Sequence, residues 1–298
     1  MEKNRDSLKA VPENYCEEEI AHGGKVVRLD YTTKDYAGNN EELQKYCFVY
    51  LPYGYEETKK YNTLYLLHGG GGEMDVFFEG EGRSSRIKKL FDHMIENGDM
   101  EAAIVVTPTY YHIGNKEITM DYSVNQIEHF YQELLSDLIP AVEGRYATYA
   151  ESTDLEGLKA SREHRAYGGY SMGSLSTWCT FKNCLDYFSC FLPMSGDFWI
   201  DGNSDAKGAA ELMERIYQKH GYAQNEVLVY AVTGDLDIAY ERMKNQMEAV
   251  ALYAKSYQFR TNDDSEGNIC FRVEPEAIHD YKYMPLYFYN ALPHFWRL

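Results

Sequence analysis

Arg165-Ala-Tyr-Gly-Gly-Tyr-Ser171-Met-Gly-Ser-Leu-Ser176 is a short apolar run that ends in Gly169-Tyr170-Ser171-Met172-Gly173 and passes into a segment of helical character. A G-x-S-x-G pattern between a strand and a helix is the setting of a nucleophile elbow. Such a serine sits on a strained turn, with its hydroxyl raised above the sheet edge. The residues two places before and after it must be small, or their side chains collide inside the turn. Gly169 and Gly173 meet that demand. The helix that starts here aims its first N–H groups at any oxyanion formed beside the serine. On its own, the pattern also fits a plain Gly/Ser turn, so its meaning rests on the rest of the chain.

Working outward, buried strands alternate with helices. Lys25–Thr33 alternates as a strand, and Lys45–Leu51 reads as its hairpin partner. Thr63–Leu67 and Ala102–Thr107 are continuous apolar runs, as expected of buried parallel strands. Helical spacing marks 85–97 and 122–146. The polar stretch 148–163 reads as a loop. After the elbow come a helix over 174–185, a strand over 188–194, a helix over 204–220, a strand over 226–232, a helix over 238–257, a strand over 268–273 and a last helix over 281–296. This order predicts an α/β fold: one doubly wound, mostly parallel sheet with an antiparallel hairpin at the front. Residues 25–298 are expected to form the single domain, and 1–24 a loosely held polar arm.

The chain has 298 residues, of which 44% are hydrophobic, and a formal net charge of -18. It has no run near the ~18 apolar residues of a membrane span. So acidic a surface repels nucleic acid and anionic lipid, and neither partner is expected. A homo-oligomer is left open. The N-terminus shows no apolar leader core, which fits a cytoplasmic protein or a secreted one lacking its signal peptide. The six cysteines form no C-x-x-C pairs, so free thiols are the default and no metal is expected.

A serine nucleophile needs a base, and the base an orienting acid. On this kind of sheet the chain order is Ser, then Asp/Glu, then His, each on a loop after a strand. Val232-Thr-Gly-Asp235-Leu-Asp237 and Pro275-Glu-Ala-Ile-His279-Asp follow the two later strands. Among nine histidines, His279 combines a strand-end loop with a place downstream of an acidic strand end. Asp235 and Asp237 both qualify as the acid, with Glu274 and Glu276 on a tighter loop. Asp237 could equally cap the following helix. His68-Gly-Gly-Gly-Gly72 follows an early strand, where glycine-rich loops offer backbone N–H groups to an oxyanion. Gly70 and Gly71 are the candidate donors there, with the Met172 N–H as the second. No Lys-Ser/Thr follows the run, which excludes a phosphate loop.

Tyr65–Gly72, Phe78-Glu-Gly-Glu-Gly-Arg83, Ile104–Pro108, His164–Gly173, Gly234-Asp-Leu-Asp237 and His279-Asp-Tyr281 together resemble the esterase family of the α/β-hydrolase superfamily. They are most similar to the feruloyl and acetyl xylan esterases of carbohydrate esterase family one. The similarity runs from about Leu51 to the C-terminus. It implies Ser171 as nucleophile, His279 as base and Asp237, three residues after the glycine, as acid. It also implies oxyanion donors at Met172 and within Gly69–Gly71, no cofactor, and an ester of a plant-polysaccharide fragment as substrate. Ser174 departs from the family's Ser-Met-Gly-Gly. S-formylglutathione hydrolases share the elbow but differ in the glycine loop. Phe77, Phe78, Tyr110, Asp197 and Trp199, with Tyr111 and Phe198, follow strands or the glycine loop and are candidate substrate contacts, since aromatic faces stack on phenolic acids and sugars. The expected activity is hydrolysis of feruloyl esters through an acyl-enzyme. The alternatives are an acetyl xylan or other small-acyl esterase and, from another class, a non-catalytic binding module.

Overall fold

The computed structural model describes residues 8–115, 117–199, 205–260 and 266–296. The expected hairpin forms from β1 (Lys25–Lys34) and β2 (Glu42–Leu51), and its antiparallel register is unbroken from Lys25↔Leu51 to Lys34↔Glu42. The continuously apolar runs become β3 (Asn62–Leu67), β4 (Ala103–Thr107), β5 (Arg165–Tyr170), β6 (Cys190–Met194) and β7 (Leu228–Gly234), buried at every position. Such strands need cover on both faces, which is why they read as runs and not as alternation. With β8 (Ile269–Glu274) they form one eight-stranded sheet of order β1-β2-β4-β3-β5-β6-β7-β8. From β3 to β8 neighbouring strands are parallel, while β1 and β2 run antiparallel at one side.

The helices are α1 (Asn14–Glu17), α2 (Arg86–Glu96), α3 (Met120–Glu133), α4 (Ile139–Glu143), α5 (Leu155–Ala160), α6 (Met172–Cys184), α7 (Ala206–His220), α8 (Tyr240–Tyr253) and α9 (Met284–Ala291). Two cores line the sheet. Tyr65 and Leu67 point into one with α3, α6, α7 and α8, and Leu64 and Leu66 point into the other with α2 and α9.

Several boundaries differ from expectation for local reasons. The helix predicted over 122–146 is interrupted by a π-turn at Leu134–Leu138 before Pro140. Proline has no N–H to continue the ladder, so the helix widens one turn ahead of it. The loop predicted over 148–163 contains α5, capped by Asp154 accepting from the Gly157 N–H at 2.8 Å. The last helix breaks into α9 flanked by two short 3-10 turns, with prolines at 285 and 293. The start of the helix predicted over 204–220 and residues 1–7 of the arm lie outside the described residues. The rest of the arm is tied down. Leu8 and Cys16 are buried, the Leu8 and Lys9 N–H groups donate to Glu274 and Asn290, and the Tyr15 hydroxyl donates to Asp99.

The elbow strand is anchored at its start by a buried ion pair. Arg165 Nε and Nη2 donate to the two Glu143 oxygens at 2.7 Å each. Its remaining donors reach Leu158 O, Tyr187 O and the Ser161 hydroxyl. Both side chains are 1% exposed. Removing one partner of such a pair leaves an uncompensated buried charge and costs about 3–5 kcal/mol. Glu143→Gln should therefore lower unfolding stability in urea by about 3 kcal/mol. A loss below about 1 kcal/mol would show that the pair does not anchor β5.

Candidate active site

All the predicted site loops lie at the carboxyl edge of the sheet, where open α/β folds bind ligands. The Ser171 backbone has φ 58° and ψ -114°, a left-handed conformation that a serine adopts only when its surroundings force it. The glycines explain the force. A β-carbon on Gly169 would overlap the Gly173 backbone, and one on Gly173 would overlap the Leu67 carbonyl. Strand β5, helix α6 and the end of β3 thus meet with no side chain between them. Ser174 donates to Gly196 O at 2.7 Å, and the Trp178 indole donates to the same oxygen at 3.1 Å. The serine that replaces the family's second glycine therefore ties α6 to the loop after β6.

Ser171, His279 and Asp237 are brought into line. His279 Nε2 lies 2.9 Å from Ser171 Oγ, and His279 Nδ1 lies 2.9 Å from Asp237 Oδ1. The Asp237 side chain is 1% exposed. Its Oδ1 also accepts from the Ala239 N–H at 2.8 Å, so the carboxylate both caps the approach to α8 and orients the imidazole. Asp235 does something else. Its Oδ1 accepts from the Glu276 N–H at 2.6 Å, and the Leu236 N–H donates to Ala277 O at 3.1 Å, clipping the acid loop to the histidine loop. A nucleophile, a base and an orienter in this order can deprotonate a serine as it attacks a carbonyl.

The glycine loop is fixed from below by His68. Its Nδ1 lies 2.7 Å from Gly69 O, which can only accept, so Nδ1 carries the proton. Nε2 then accepts from the Thr109 hydroxyl at 2.8 Å. Tyr110 and the Gly72 N–H also donate to Gly69 O. A peptide is planar and trans, so holding the Gly69 carbonyl turns the Gly70 N–H to the opposite side. Gly70 faces Met172, whose Cγ would lie 3.2 Å from a β-carbon there. The Gly69 N–H is taken by the Tyr281 hydroxyl at 2.5 Å and the Gly71 N–H by the Tyr111 hydroxyl at 3.3 Å. Among the described residues, the Gly70 and Met172 N–H groups have no acceptor. Of the two predicted glycine donors, Gly70 is open and Gly71 is engaged.

The aromatic side chains singled out as candidate contacts are mostly buried. Phe77, Phe78 and Tyr110 are 2%, 0% and 1% exposed and serve the core or underpin the glycine loop. Phe78 packs on Tyr50 and Phe91, and Tyr110 stacks on His68. Tyr111 and Phe198 are buried as well. Their strand-end positions suggested a rim, but the loops carrying them fold inward. Asp197 is mostly buried and 3.2 Å from Arg242, and Trp199 is half-buried against the core. Three exposed apolar side chains were missed: Leu236 and Ile238 on either side of Asp237, and Ile278 beside His279, at 62%, 78% and 43% exposure. Large apolar residues flanking both members of an acid–base pair were the available signal. Tyr170 was also missed. Its ring stacks on His279 at 4.8 Å between centroids.

The family model described as "Putative esterase" matches residues 44–295. The chain belongs to the esterase family. This esterase is 42% identical, over 96% of its length, to Endo-1,4-beta-xylanase Y of Acetivibrio thermocellus, and spans about a quarter of that protein, 24% of it. It superposes on a feruloyl esterase module from Clostridium thermocellum, solved as a mutant complexed with sinapinate, at TM-score 0.84 and 38% identity, covering 98% of this chain and 94% of that one. A ferulic acid esterase from Anaeromyces mucronatus shares the fold at TM-score 0.67 and 19% identity, over 96% of each chain. The esterase is thus a serine carboxylic-ester hydrolase of the α/β-hydrolase fold. Among the described residues, no helix is long and apolar enough to cross a membrane, and no cluster of His, Cys, Asp or Glu is arranged to hold a metal.

Burial holds the His68 imidazole down at about 4, against an ordinary value of 6.5. The folded esterase therefore keeps His68 neutral at pH values where the unfolded chain protonates it. Stability is full above about pH 6.5 and falls as pH drops toward 4, by up to about 3 kcal/mol. Urea unfolding between pH 7 and 4 should show that slope, and His68→Asn should flatten this part of it. An equal slope in the variant would count against the assignment.

Proposed function

We propose that this chain is a feruloyl esterase. In this reading Ser171 is the nucleophile, His279 the general base, Asp237 the orienting acid, and the Gly70 and Met172 N–H groups the oxyanion donors. The observation that carries it is the hydrogen-bonded line Asp237–His279–Ser171 in a chain 38% identical over nearly its whole length to a feruloyl esterase module crystallised with a hydroxycinnamate. His279 takes the Ser171 proton as Oγ attacks the ester carbonyl. The tetrahedral oxyanion forms against the Gly70 and Met172 N–H groups. Collapse expels the alcohol, a sugar hydroxyl in a polysaccharide ester, which leaves with the proton from His279. Water activated by the same imidazole then attacks the acyl-enzyme and frees the hydroxycinnamic acid.

The exposed Leu236 and Ile238, next to Asp237 in the chain, and Ile278, next to His279, favour an aromatic acyl group, to which they would offer apolar surface. Aspartates and glutamates outnumber lysines and arginines, 47 to 29, which fits neutral ester substrates such as esterified arabinoxylan fragments.

Ser171→Ala should abolish turnover of methyl ferulate and of p-nitrophenyl acetate without changing the circular dichroism spectrum. Acetate hydrolysis with no ferulate turnover in the wild type would keep the serine mechanism and move the substrate to a small acyl group. Activity retained in Ser171→Ala would overturn the nucleophile. Replacing Leu236 and Ile278 together by serine should raise KM for methyl ferulate about 10-fold while leaving p-nitrophenyl acetate hydrolysis near wild type. Equal effects on both substrates would argue against an aromatic acyl surface there.

A further inference from the structure

Tyr281 stands two residues after His279, at the start of a 3-10 turn capped by Asp280. It joins the two halves of the site. Its hydroxyl oxygen accepts the Gly69 N–H at 2.5 Å, and its ring lies 4.6 Å from that of Tyr170, which in turn stacks on His279. A β-carbon at Gly69 would lie 2.8 Å from the Tyr281 oxygen and 3.2 Å from the Ser171 Cβ. Hydroxyl and nucleophile therefore share the space beside Gly69, and no bulkier residue fits there. Accepting the Gly69 N–H occupies a lone pair and leaves the phenolic O–H to donate. Among the described residues no acceptor stands within hydrogen-bond distance of that proton.

We propose that the Tyr281 hydroxyl is a third donor to the carbonyl oxygen of the bound ester, beside the N–H groups of Gly70 and Met172. The inference rests on the ester-hydrolase reading of the site and adds a residue to it. The phenol donates a hydrogen bond and keeps its proton throughout, so no proton changes hands with Tyr281. Burial, the main influence, pushes its pKa up to about 12, which keeps it protonated across the working range. Accepting from Gly69 also polarises the O–H, since hydrogen bonds in a chain strengthen one another. A donor that meets charge only as it develops acts on kcat more than on KM.

Tyr281→Phe keeps the ring stack and removes the hydroxyl. The expected result is a kcat loss on the order of 100-fold for methyl ferulate and p-nitrophenyl acetate. KM should barely move. Inhibition by phenylboronic acid, whose adduct on a serine is tetrahedral, should weaken in parallel. The variant also strips the Gly69 N–H of its acceptor, so a second variant separates the roles. Replacing Tyr281 with 3-fluorotyrosine makes the hydroxyl a better donor and a poorer acceptor. Unchanged or faster kcat with tighter phenylboronate binding would support donation to substrate. Slower turnover with the fluorinated residue, or wild-type kcat in Tyr281→Phe, would overturn the proposal. Its failure is distinct from failure of the feruloyl reading. That reading falls if the wild type ignores methyl ferulate, and the Tyr281 comparison can still be read on p-nitrophenyl acetate.

Discussion

Everything at this site depends on a contact between backbones. Where β5 turns into α6, the Gly173 α-carbon faces the Leu67 carbonyl, and Gly169 faces Gly173. No β-carbon fits at either position. That closeness holds the Ser171 turn in its strained conformation and sets the start of α6 directly against the end of β3. The loop that leaves β3 is the glycine loop. The Met172 and Gly70 N–H groups are therefore placed by the same contact that raises the serine. Arg165 and Glu143 hold the far end of the same strand, so β5 is fixed at both ends.

Below the glycine loop, polar groups are matched to partners. His68 spends one ring nitrogen on the Gly69 carbonyl of its own loop and the other on the Thr109 hydroxyl of the loop after β4. Lys45, buried behind it, donates to Thr109 O at 2.6 Å and to Glu133 at 2.8 Å. The loop after β4 that supports His68 is thus pinned by a charge as well. This arrangement suits a site that must hold backbone donors rigid: their value in a transition state comes from not having to reorganise.

Much of this was legible in the sequence because it rests on local chemistry. The elbow glycines, the run after His68 and the order Ser171, Asp237, His279 are written in residue types at fixed places relative to strands. The choice between Asp235 and Asp237 was not legible from residue type and needed the family's spacing. Both are acidic, both follow β7, and their different tasks are visible only once the neighbouring loop is in place. The burial of the aromatic candidates was illegible for a related reason. Phe77, Phe78 and Tyr110 sit where a rim would be if their loops pointed outward, but loop direction is set by tertiary packing, which residue order does not encode. The π-turn before Pro140 was readable in principle, since a proline inside a helical pattern forces some adjustment. The docking of residues 8–24 was not, because a polar segment carries no periodicity to say what its few apolar residues will meet.

The clip between the loops after β7 and β8 makes the Asp237 loop and the His279 loop one mechanical unit. Asp235 holds the Glu276 N–H, Leu236 holds Ala277 O, and Gly234 lies so close to Ala277 that a side chain there would overlap it. Diversification of this scaffold is therefore modular in an uneven way. The described start of the loop after β6 is tied elsewhere, to α6 through Gly196 O and to α8 through the Gly196 and Phe198 N–H groups. Because the partners in 275–280 are the Glu276 N–H and the Ala277 carbonyl, both main-chain groups, a grafted histidine loop keeps the clip only if it follows the same backbone path.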